Sequence, residues 1–354
     1  MLKTFGYIVE LLLMFMSVFS CMLRENTDRR PVTHLIEGTV LHYDGIFSIF
    51  RMCYDGSNLL TLSASATVPP LSLYRICGDT VRLRGEYLNY GRGPEDVLNP
   101  VIFTDTTGIY LIDNNDSPNF LARYELSEAG DLILKKKTDL SWIEHPLMFN
   151  RFVRVADDEF IVLGGRAGER ELLSYIDVVK KEQKPVRFWP EDGYEREIFG
   201  KQVLYGNNAS LDVCGDKVLY ACPYGRYLDI LTIEKTDVIA HNCIYDDLPE
   251  LKTAPGSSFG LRPVSRYNGL SVTATAEYIY VIYENAMDSD RKGYPWYFVD
   301  EIEVYDWNGD FVRKYRTDCP FAMYAVSPDD RSMLTYTVDL DTGEDILVLY
   351  DLSE

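Results

Sequence analysis

The side chains best suited to recognise a ligand are arginines and aromatic residues in the longer polar segments of the chain. An arginine presents a planar fork that binds a carboxylate or a phosphate through two hydrogen bonds. An exposed tyrosine or tryptophan offers its ring to a sugar or a protein surface. We expect a ligand-binding set of Arg92, Arg151, Arg166, Arg226, Arg262, Tyr224, Tyr283 and Trp296. Two alternatives stay open, because nearby acidic residues could pair with the arginines and the aromatic rings could pack inward.

Motifs for catalysis are few. The chain has four histidines and no HExxH motif, which disfavours zinc-dependent hydrolysis. Asp113, Asn114 and Asn285 follow apolar runs and carry the oxygen ligands that Ca²⁺ prefers, although Asp and Asn are also common turn residues. We predict no catalytic residue and no cofactor. The alternative is a divalent-metal-dependent lactonase or hydrolase that uses these three residues.

The elements that would position these residues are visible as a repeat. A short turn followed by an apolar run recurs six times, with turn residues at positions 56, 108, 158, 215, 276 and 330, of which all but Ala276 are Gly or Asp. A period of roughly 50 residues with several short strands per unit is typical of a β-propeller. Each hairpin is followed by a third alternating run, such as residues 120–126 and 346–351, and in the first five units by a more polar fourth run. The sequence predicts four-stranded antiparallel blades with outer strands that resist pairing with other molecules.

The two ends of the chain predict how the ring closes. The sixth unit ends after its third strand, and the strand-like run over residues 33–43 has no unit of its own. We predict an all-β, six-bladed propeller whose last blade is completed by this N-terminal strand. Long connections, including residues 63–70, 89–100, 189–208, 246–266 and 285–297, would lie on one face around the central opening. Binding residues concentrate on such loops, so we expect the site there.

Composition limits the possible partners. The chain has 354 residues, 46% of them hydrophobic, and a formal net charge of -20. The apolar content is too high for a disordered chain, and the acidic balance argues against nucleic acid, which needs a basic surface. We therefore expect a protein or a glycan as the partner.

The N-terminal region differs from the rest of the chain. Lys3 precedes an apolar stretch over residues 11–19, which is too short to span a bilayer and has the pattern of a signal peptide. Val18-Phe-Ser-Cys21 fits a bacterial lipobox, in which the cysteine receives the lipid. We predict a lipoprotein signal peptide over residues 1–20, lipidation of Cys21, a tether over residues 21–31 and the propeller over residues 32–354. A plain membrane anchor or a cleaved signal is the alternative.

Two segments carry a family resemblance. Ala325-Val-Ser-Pro-Asp-Asp-Arg-Ser-Met-Leu334 resembles the hairpin of TolB-like and WD-type blades, with Asp330 where glycine is usual. Gly91-Arg-Gly-Pro-Glu-Asp96 resembles a segment of TolB-like six-bladed propeller lipoproteins of Bacteroides-type bacteria. The resemblance implies a cell-envelope lipoprotein without catalytic residues to carry over.

Together these features predict a lipid-anchored propeller of the bacterial cell envelope. We expect it to face the periplasm, because Met22-Leu-Arg-Glu-Asn26 lacks an obvious acidic export run. The leading hypothesis is a non-catalytic module that binds an envelope protein or a glycan on its long-loop face. Besides the metal-dependent hydrolase, an assembly scaffold is a third possibility, and it would expose a large apolar patch.

Overall fold

The structure is a computed structural model in which the chain from Thr33 onwards forms one compact unit. It describes residues 32–43, 49–63, 65, 67–93, 96–113, 120–127, 129–143, 151–163, 171–190, 204–206, 209–253, 259–261, 268–285, 294–295 and 297–353. For residues 251–253, 259–261, 268 and 285 it describes the backbone only. The predicted signal peptide, Cys21 and the tether lie outside these ranges. Among the described residues, no helix has the length and apolar character needed to cross a bilayer.

The fold begins with two short strands, and three four-stranded blades follow. The N-terminal strands are β1 (Thr33–Ile36) and β2 (Thr39–Tyr43). The first blade contains β3 (Arg51–Tyr54), β4 (Asn58–Leu62), β5 (Leu71–Cys77) and β6 (Thr80–Tyr87). The second contains β7 (Pro100–Asp105), β8 (Gly108–Asp113), β9 (Phe120–Leu126) and β10 (Leu132–Asp139). The third contains β11 (Arg151–Ala156), β12 (Glu159–Leu163), β13 (Leu173–Asp177) and β14 (Glu182–Val186).

Three further blades complete the ring. The fourth contains β15 (Ser210–Cys214), β16 (Lys217–Ala221), β17 (Arg226–Glu234) and β18 (Asp237–Asp247). A two-stranded hairpin of β19 (Leu251–Thr253) and β20 (Phe259–Leu261) follows it. The fifth blade contains β21 (Asn268–Ala274), β22 (Tyr278–Asn285), β23 (Val299–Asp306) and β24 (Phe311–Phe321). The sixth contains β25 (Met323–Val326), β26 (Ser332–Val338), β27 (Asp345–Asp351) and the N-terminal β2.

The core consists of apolar clusters between consecutive blades. Each strand alternates its side chains between two faces, so a blade packs one face against the preceding blade and the other against the next. Six clusters result, and each is represented here by one buried pair: Leu73 and Leu111, Ile112 and Phe160, Tyr175 and Tyr220, Leu219 and Ile279, Ile282 and Tyr324, Leu334 and Leu59. The last pair joins the sixth blade to the first. The predicted six-bladed ring is therefore confirmed.

The N-terminal segment closes the ring, as predicted. Thr39, Val40 and Leu41 of β2 pair antiparallel with Leu349, Val348 and Leu347 of β27. The end of β2 then pairs parallel with β6 of the first blade, so the sixth and first blades form one continuous hydrogen-bonded sheet. The prediction of a single closing strand over residues 33–43 was wrong in one respect. β1 pairs parallel with β24 of the fifth blade, so the segment contacts three blades.

Gly38 explains why this segment divides in two. A Cβ at this position would lie 2.2 Å from Val348 Cγ1 and 2.8 Å from the ring of Tyr350, which is too close for any other residue. The Gly38 amide donates to Asp318 Oδ2 at 3.3 Å, and the Tyr350 hydroxyl donates to Asp318 Oδ1 at 2.9 Å. The chain therefore crosses from the fifth blade to the sixth directly against β27.

The hairpin turn at Asp330 shows why an aspartate replaces the usual glycine. Asp330 has a φ of 58°, in the left-handed region that glycine and, less often, aspartate adopt. Its Oδ1 accepts hydrogen bonds from Thr275 Oγ1 at 2.7 Å and from the Tyr280 hydroxyl at 2.9 Å. The carboxylate thus joins the sixth blade to the fifth, which glycine could not do.

The connections divide between two faces, because antiparallel strands reverse direction at every turn. Short turns such as 106–107, 157–158, 215–216 and 235–236 lie on one face, which we call the short-turn face. The second-to-third-strand connections and most blade-to-blade connections are longer and lie on the other, the long-loop face. The segment 246–266, predicted to be a loop, instead contains the end of β18 and the β19–β20 hairpin.

We predict that Gly38→Val destabilises the protein. The added methyl groups would be forced against Val348 and Tyr350, and such overpacking costs about 1–3 kcal/mol. The expected result is a lower midpoint of urea unfolding than for wild type, measured by far-ultraviolet circular dichroism. Glu37→Ala, at the neighbouring exposed position, is the control and should leave the midpoint unchanged. An unaltered midpoint for Gly38→Val would show that the crossing is not packed against β27.

Candidate functional site

The structure brings two of the predicted ligand-binding residues together at the long-loop face, between the fourth and fifth blades. Arg226 is the first residue of β17, and Tyr283 lies near the end of β22. The Arg226 guanidinium carbon lies 3.8 Å from the ring centroid of Tyr245 and 5.4 Å from that of Tyr283. The cation is therefore held between two aromatic rings, an arrangement that attracts it to their faces.

Glu303 of β23 anchors this arrangement from the fifth blade. Its Oε2 accepts a hydrogen bond from Arg226 Nη2 at 3.0 Å and another from the Tyr305 hydroxyl at 2.9 Å. The Tyr245 hydroxyl donates to the same oxygen and lies against the Tyr305 hydroxyl. One carboxylate oxygen thus accepts from three donors on two blades. We call Arg226, Tyr245, Tyr283, Glu303 and Tyr305 the Arg226 site.

Burial keeps Tyr245 and Tyr305 protonated. Burial and then the hydrogen bond to Glu303 raise the pKa of Tyr245 above its ordinary value. Burial and then the close Tyr245 hydroxyl do the same to the pKa of Tyr305. Tyr245, Tyr283 and Tyr305 also pack in the apolar cluster between the two blades. Both hydroxyls therefore remain donors to Glu303 at neutral pH.

Three members of the Arg226 site were not predicted from the sequence: Tyr245, Glu303 and Tyr305. Glu303 and Tyr305 alternate with Glu301 along one strand, so the face that these three residues share could have been recognised. Which residue of the neighbouring blade meets that face depends on the packing of two blades and has no local signal. The sequence left open that the arginines pair with acidic residues of the protein itself. Arg226 forms such an ion pair, with Glu303 as the partner.

Three further predicted ligand-binding residues fall within the described chain. Arg92 is exposed between the first two blades, Arg151 is a half-buried residue at the start of β11, and Tyr224 is half-buried in the connection before β17. The remaining three lie outside the described residues: Arg166, Arg262 and Trp296.

The segment beginning at Gly91 is a turn organised by Asp96. Asp96 Oδ2 accepts a hydrogen bond from the Gly93 amide at 2.8 Å. A Cβ on Gly91 or Gly93 would lie 2.3 Å or 2.7 Å from the same oxygen. The glycines of this motif are therefore needed because the carboxylate lies directly against the backbone.

The alternative metal ligands are only partly within the described chain. Asp113 is buried, and its Oδ1 accepts hydrogen bonds from the amides of Leu98 and Asn99 at 3.0 Å and 2.9 Å. It thereby fastens the connection between the first two blades. Asn114 and the side chain of Asn285 lie outside the described residues. In the part of the chain that the structure describes, no three His, Cys, Asp or Glu side chains come together as metal ligands would.

Near the axis, consecutive innermost strands contact one another, and one carboxylate stands out. Asp212 of β15 faces the fifth blade, where its Oδ2 accepts from the Ala274 amide at 2.6 Å. Its Oδ1 accepts from the Val213 amide at 2.9 Å. Burial raises the pKa of Asp212 to about 6, although both amides oppose the shift. Across the ring, burial raises the pKa of Cys53 to about 11, and the Asp212 charge adds to that shift.

The fold and its sequence pattern define a class of protein. The model of the TolB-like 6-blade propeller-like family matches residues 80–329. This match spans more than half of the chain, so the chain belongs to that family. No curated protein sequence matches the chain at a significant level.

One solved structure shows the same architecture, and a second is more distant. A member of the DUF4221 family from Bacteroides vulgatus is 11% identical, with a TM-score of 0.56, over 91% of this chain and 97% of that one. A putative 6-phosphogluconolactonase from Bacteroides fragilis is 11% identical, with a TM-score of 0.40, over 86% of this chain and 84% of that one. At 11% identity the first similarity shows the fold alone, and the second carries no argument.

We predict that Asp212 makes stability depend on pH. Its pKa is raised from 3.8 to about 6 in the folded chain, so between these values the unfolded chain releases the proton first. The folded state then loses stability as pH rises, by on the order of 2–3 kcal/mol in total. Asp212→Asn has no carboxyl group to ionise, so its stability does not fall in this way as pH rises, although its amide cannot accept both hydrogen bonds. Relative to wild type, its free energy of unfolding should therefore improve between about pH 4 and pH 7.

The measurement is urea unfolding of both proteins across that range. Asp237→Asn, at an exposed position of β18, is the control for the loss of one negative charge. A difference between Asp212→Asn and wild type that stays constant with pH would contradict the prediction.

Proposed function

We propose that this chain is a non-catalytic binding module of the bacterial cell envelope, anchored by a lipid on Cys21 and facing the periplasm. Its ligand is a protein or a glycan, and it binds at the long-loop face through the Arg226 site. The observation that carries the proposal is the stacking of Arg226 on Tyr245 at 3.8 Å, with Tyr283 beside it.

The chemistry of the Arg226 site supports recognition. Tyr245 and Tyr283 are half-buried, so each ring combines a fixed position with a surface left for a sugar ring or a peptide side chain. A guanidinium has five N–H groups, and Glu303 accepts from one terminal nitrogen. The cation can therefore take a second hydrogen-bonding partner without leaving the ion pair. Aromatic residues and arginine are also the residue types that carry most of the energy at binding surfaces.

The state of Glu303 supports a binding role over a catalytic one. A general base must be able to take a proton from its substrate. Glu303 Oε2 already accepts from Arg226, Tyr245 and Tyr305. We therefore assign the Glu303 carboxylate the role of positioning Arg226, Tyr245 and Tyr305, and not that of a reacting group.

We predict that Arg226→Ala and Tyr283→Ala each weaken ligand binding. Loss of an arginine or aromatic anchor costs roughly 1–2 kcal/mol, which corresponds to about a 5- to 30-fold weaker affinity. Binding is measured on a glycan array carrying neutral and uronic-acid oligosaccharides, and by capture of proteins from the envelope fraction. Arg75→Ala, at an exposed position toward the short-turn face, is the control. Binding that survives both substitutions unchanged would remove the Arg226 site from the proposal.

We predict that Cys21→Ser abolishes lipid anchoring. The serine hydroxyl cannot form the thioether that holds the lipid, so the protein should move from the detergent phase to the aqueous phase in a Triton X-114 partition. Cys77→Ser, which replaces an exposed free cysteine, should stay in the detergent phase. Unaltered partition of Cys21→Ser would refute lipidation at this residue.

A further inference from the structure

A cavity of about 210 Å³ lies between the third and fourth blades, beside the β15–β16 turn on the short-turn face. It is separate from the Arg226 site, which lies between the fourth and fifth blades on the opposite face. Part of its wall is apolar, with Val155 from the third blade and Ile233 from the fourth. Both side chains are only half-buried, so they leave apolar surface open to the cavity. The turn passes through Gly215, where a Cβ would have no atom within 4 Å.

Three carboxylates line the same cavity: Glu159 of β12, Asp216 of the β15–β16 turn and Glu234 at the end of β17. Asp216 and Glu234 are exposed, and Glu159 is half-buried. Burial and then the Glu159 carboxylate raise the pKa of Tyr175, so Glu159 lies beside this buried tyrosine. Within the described ranges, none of the three forms an ion pair with a lysine or an arginine. Lys235 shares the rim without pairing with any of them.

The spacing of these carboxylates favours an organic cation over a metal ion. Among the residues that the structure describes, no three His, Cys, Asp or Glu side chains are close enough to hold one metal ion. Carboxylates that stand on different strands around a cavity can instead surround a larger cation. An ammonium group has three N–H donors, so it can donate to more than one of them at once.

The gap between the second and third blades shows which cation the protein itself places against such a turn. There the Asp158 carboxylate, in the β11–β12 turn, lies 2.5 Å from the ammonium of Lys136 on β10. Asp216 has the position of Asp158 in the next blade. The lysine that corresponds to Lys136 is Lys184 on β14, but it is paired with Glu182 at 2.7 Å. The gap between the third and fourth blades therefore keeps the carboxylate and lacks the ammonium.

We infer that this cavity binds an alkylammonium group, either the side chain of a lysine on a partner protein or a free diamine. The ammonium would lie among Glu159, Asp216 and Glu234. The alkyl chain would lie on the open surfaces of Val155 and Ile233. The volume is below the roughly 300–1,000 Å³ typical of sites for drug-sized ligands, which suits one unbranched chain. The ligand thus supplies the positive charge that a lysine of the protein supplies in the preceding gap.

The test is saturation-transfer-difference NMR on the full chain at fixed ionic strength, so that charge screening is constant. The probes are cadaverine and Nα-acetyl-lysine methylamide, and the tighter of the two identifies the source of the ammonium. Nα-acetyl-norleucine methylamide, whose side chain ends in a methyl group, is the neutral counterpart and should not bind. The affinity for the amines should fall by about tenfold in Asp216→Asn/Glu234→Gln. Both positions are exposed, so the fold should be retained, which circular dichroism checks.

Two control variants make the result specific. Asp79→Asn/Asp131→Asn removes two exposed carboxylates from turns of the first and second blades. It changes the net charge by the same amount and should leave amine binding unchanged. Arg226→Ala should also leave it unchanged, so its effect on glycan or protein binding tests the proposed function separately.

Four results would overturn the inference. The first is no saturation of either amine, and the second is equal affinity of wild type and Asp216→Asn/Glu234→Gln. The third is an equal loss of affinity in Asp79→Asn/Asp131→Asn, which would show that only net charge matters. The fourth is binding of the norleucine derivative as tight as that of the amines.

Discussion

The pairing of β2 with β27 is the interaction on which the rest of this structure depends. Each blade packs against its two neighbours. Every blade face in a ring of six is therefore covered once the sixth blade meets the first. β2 contributes hydrogen bonds to β27 through residues 39–41. It also places Leu41, which is 3% exposed, in the apolar cluster between these two blades. Without β2, the sixth blade would end in an unpaired strand, and the cluster beside it would lose part of its cover.

Ring closure matters for function because the Arg226 site lies between blades. The Arg226 site takes Arg226 and Tyr245 from the fourth blade, and Tyr283, Glu303 and Tyr305 from the fifth. This site does not exist in an isolated blade. The spacing between blades, which the apolar clusters set, therefore determines the distance between Arg226 and its partners.

The sequence predicted the parts of the fold that have a local or periodic signal. The recurring turns located six blades, and the third strand of the second blade has the predicted bounds, Phe120–Leu126. A missing fourth strand at one end and an unassigned strand at the other predicted the closure. These features follow from alternation and turn chemistry, which operate within a few residues along the chain.

The features that sequence did not predict depend on contacts between distant segments. The division at Gly38 arises because Val348 and Tyr350 leave no room for a side chain. The hairpin of β19 and β20 is made of two three-residue strands, too short for a periodic pattern. The pairing of Arg226 with Glu303, 77 positions apart, is set by the packing of two blades. Asp330 marked a departure from the usual glycine, but its bonds to Thr275 and Tyr280 required the neighbouring blade.

Hydrogen–deuterium exchange of the backbone amides, followed by mass spectrometry, tests the closure most directly. We expect peptides covering residues 39–43 and 346–352 to exchange slowly and in the same phase, because their amides are released only when the ring opens. Rapid exchange of residues 39–43 at the rate of an exposed chain, with residues 346–352 still protected, would contradict it.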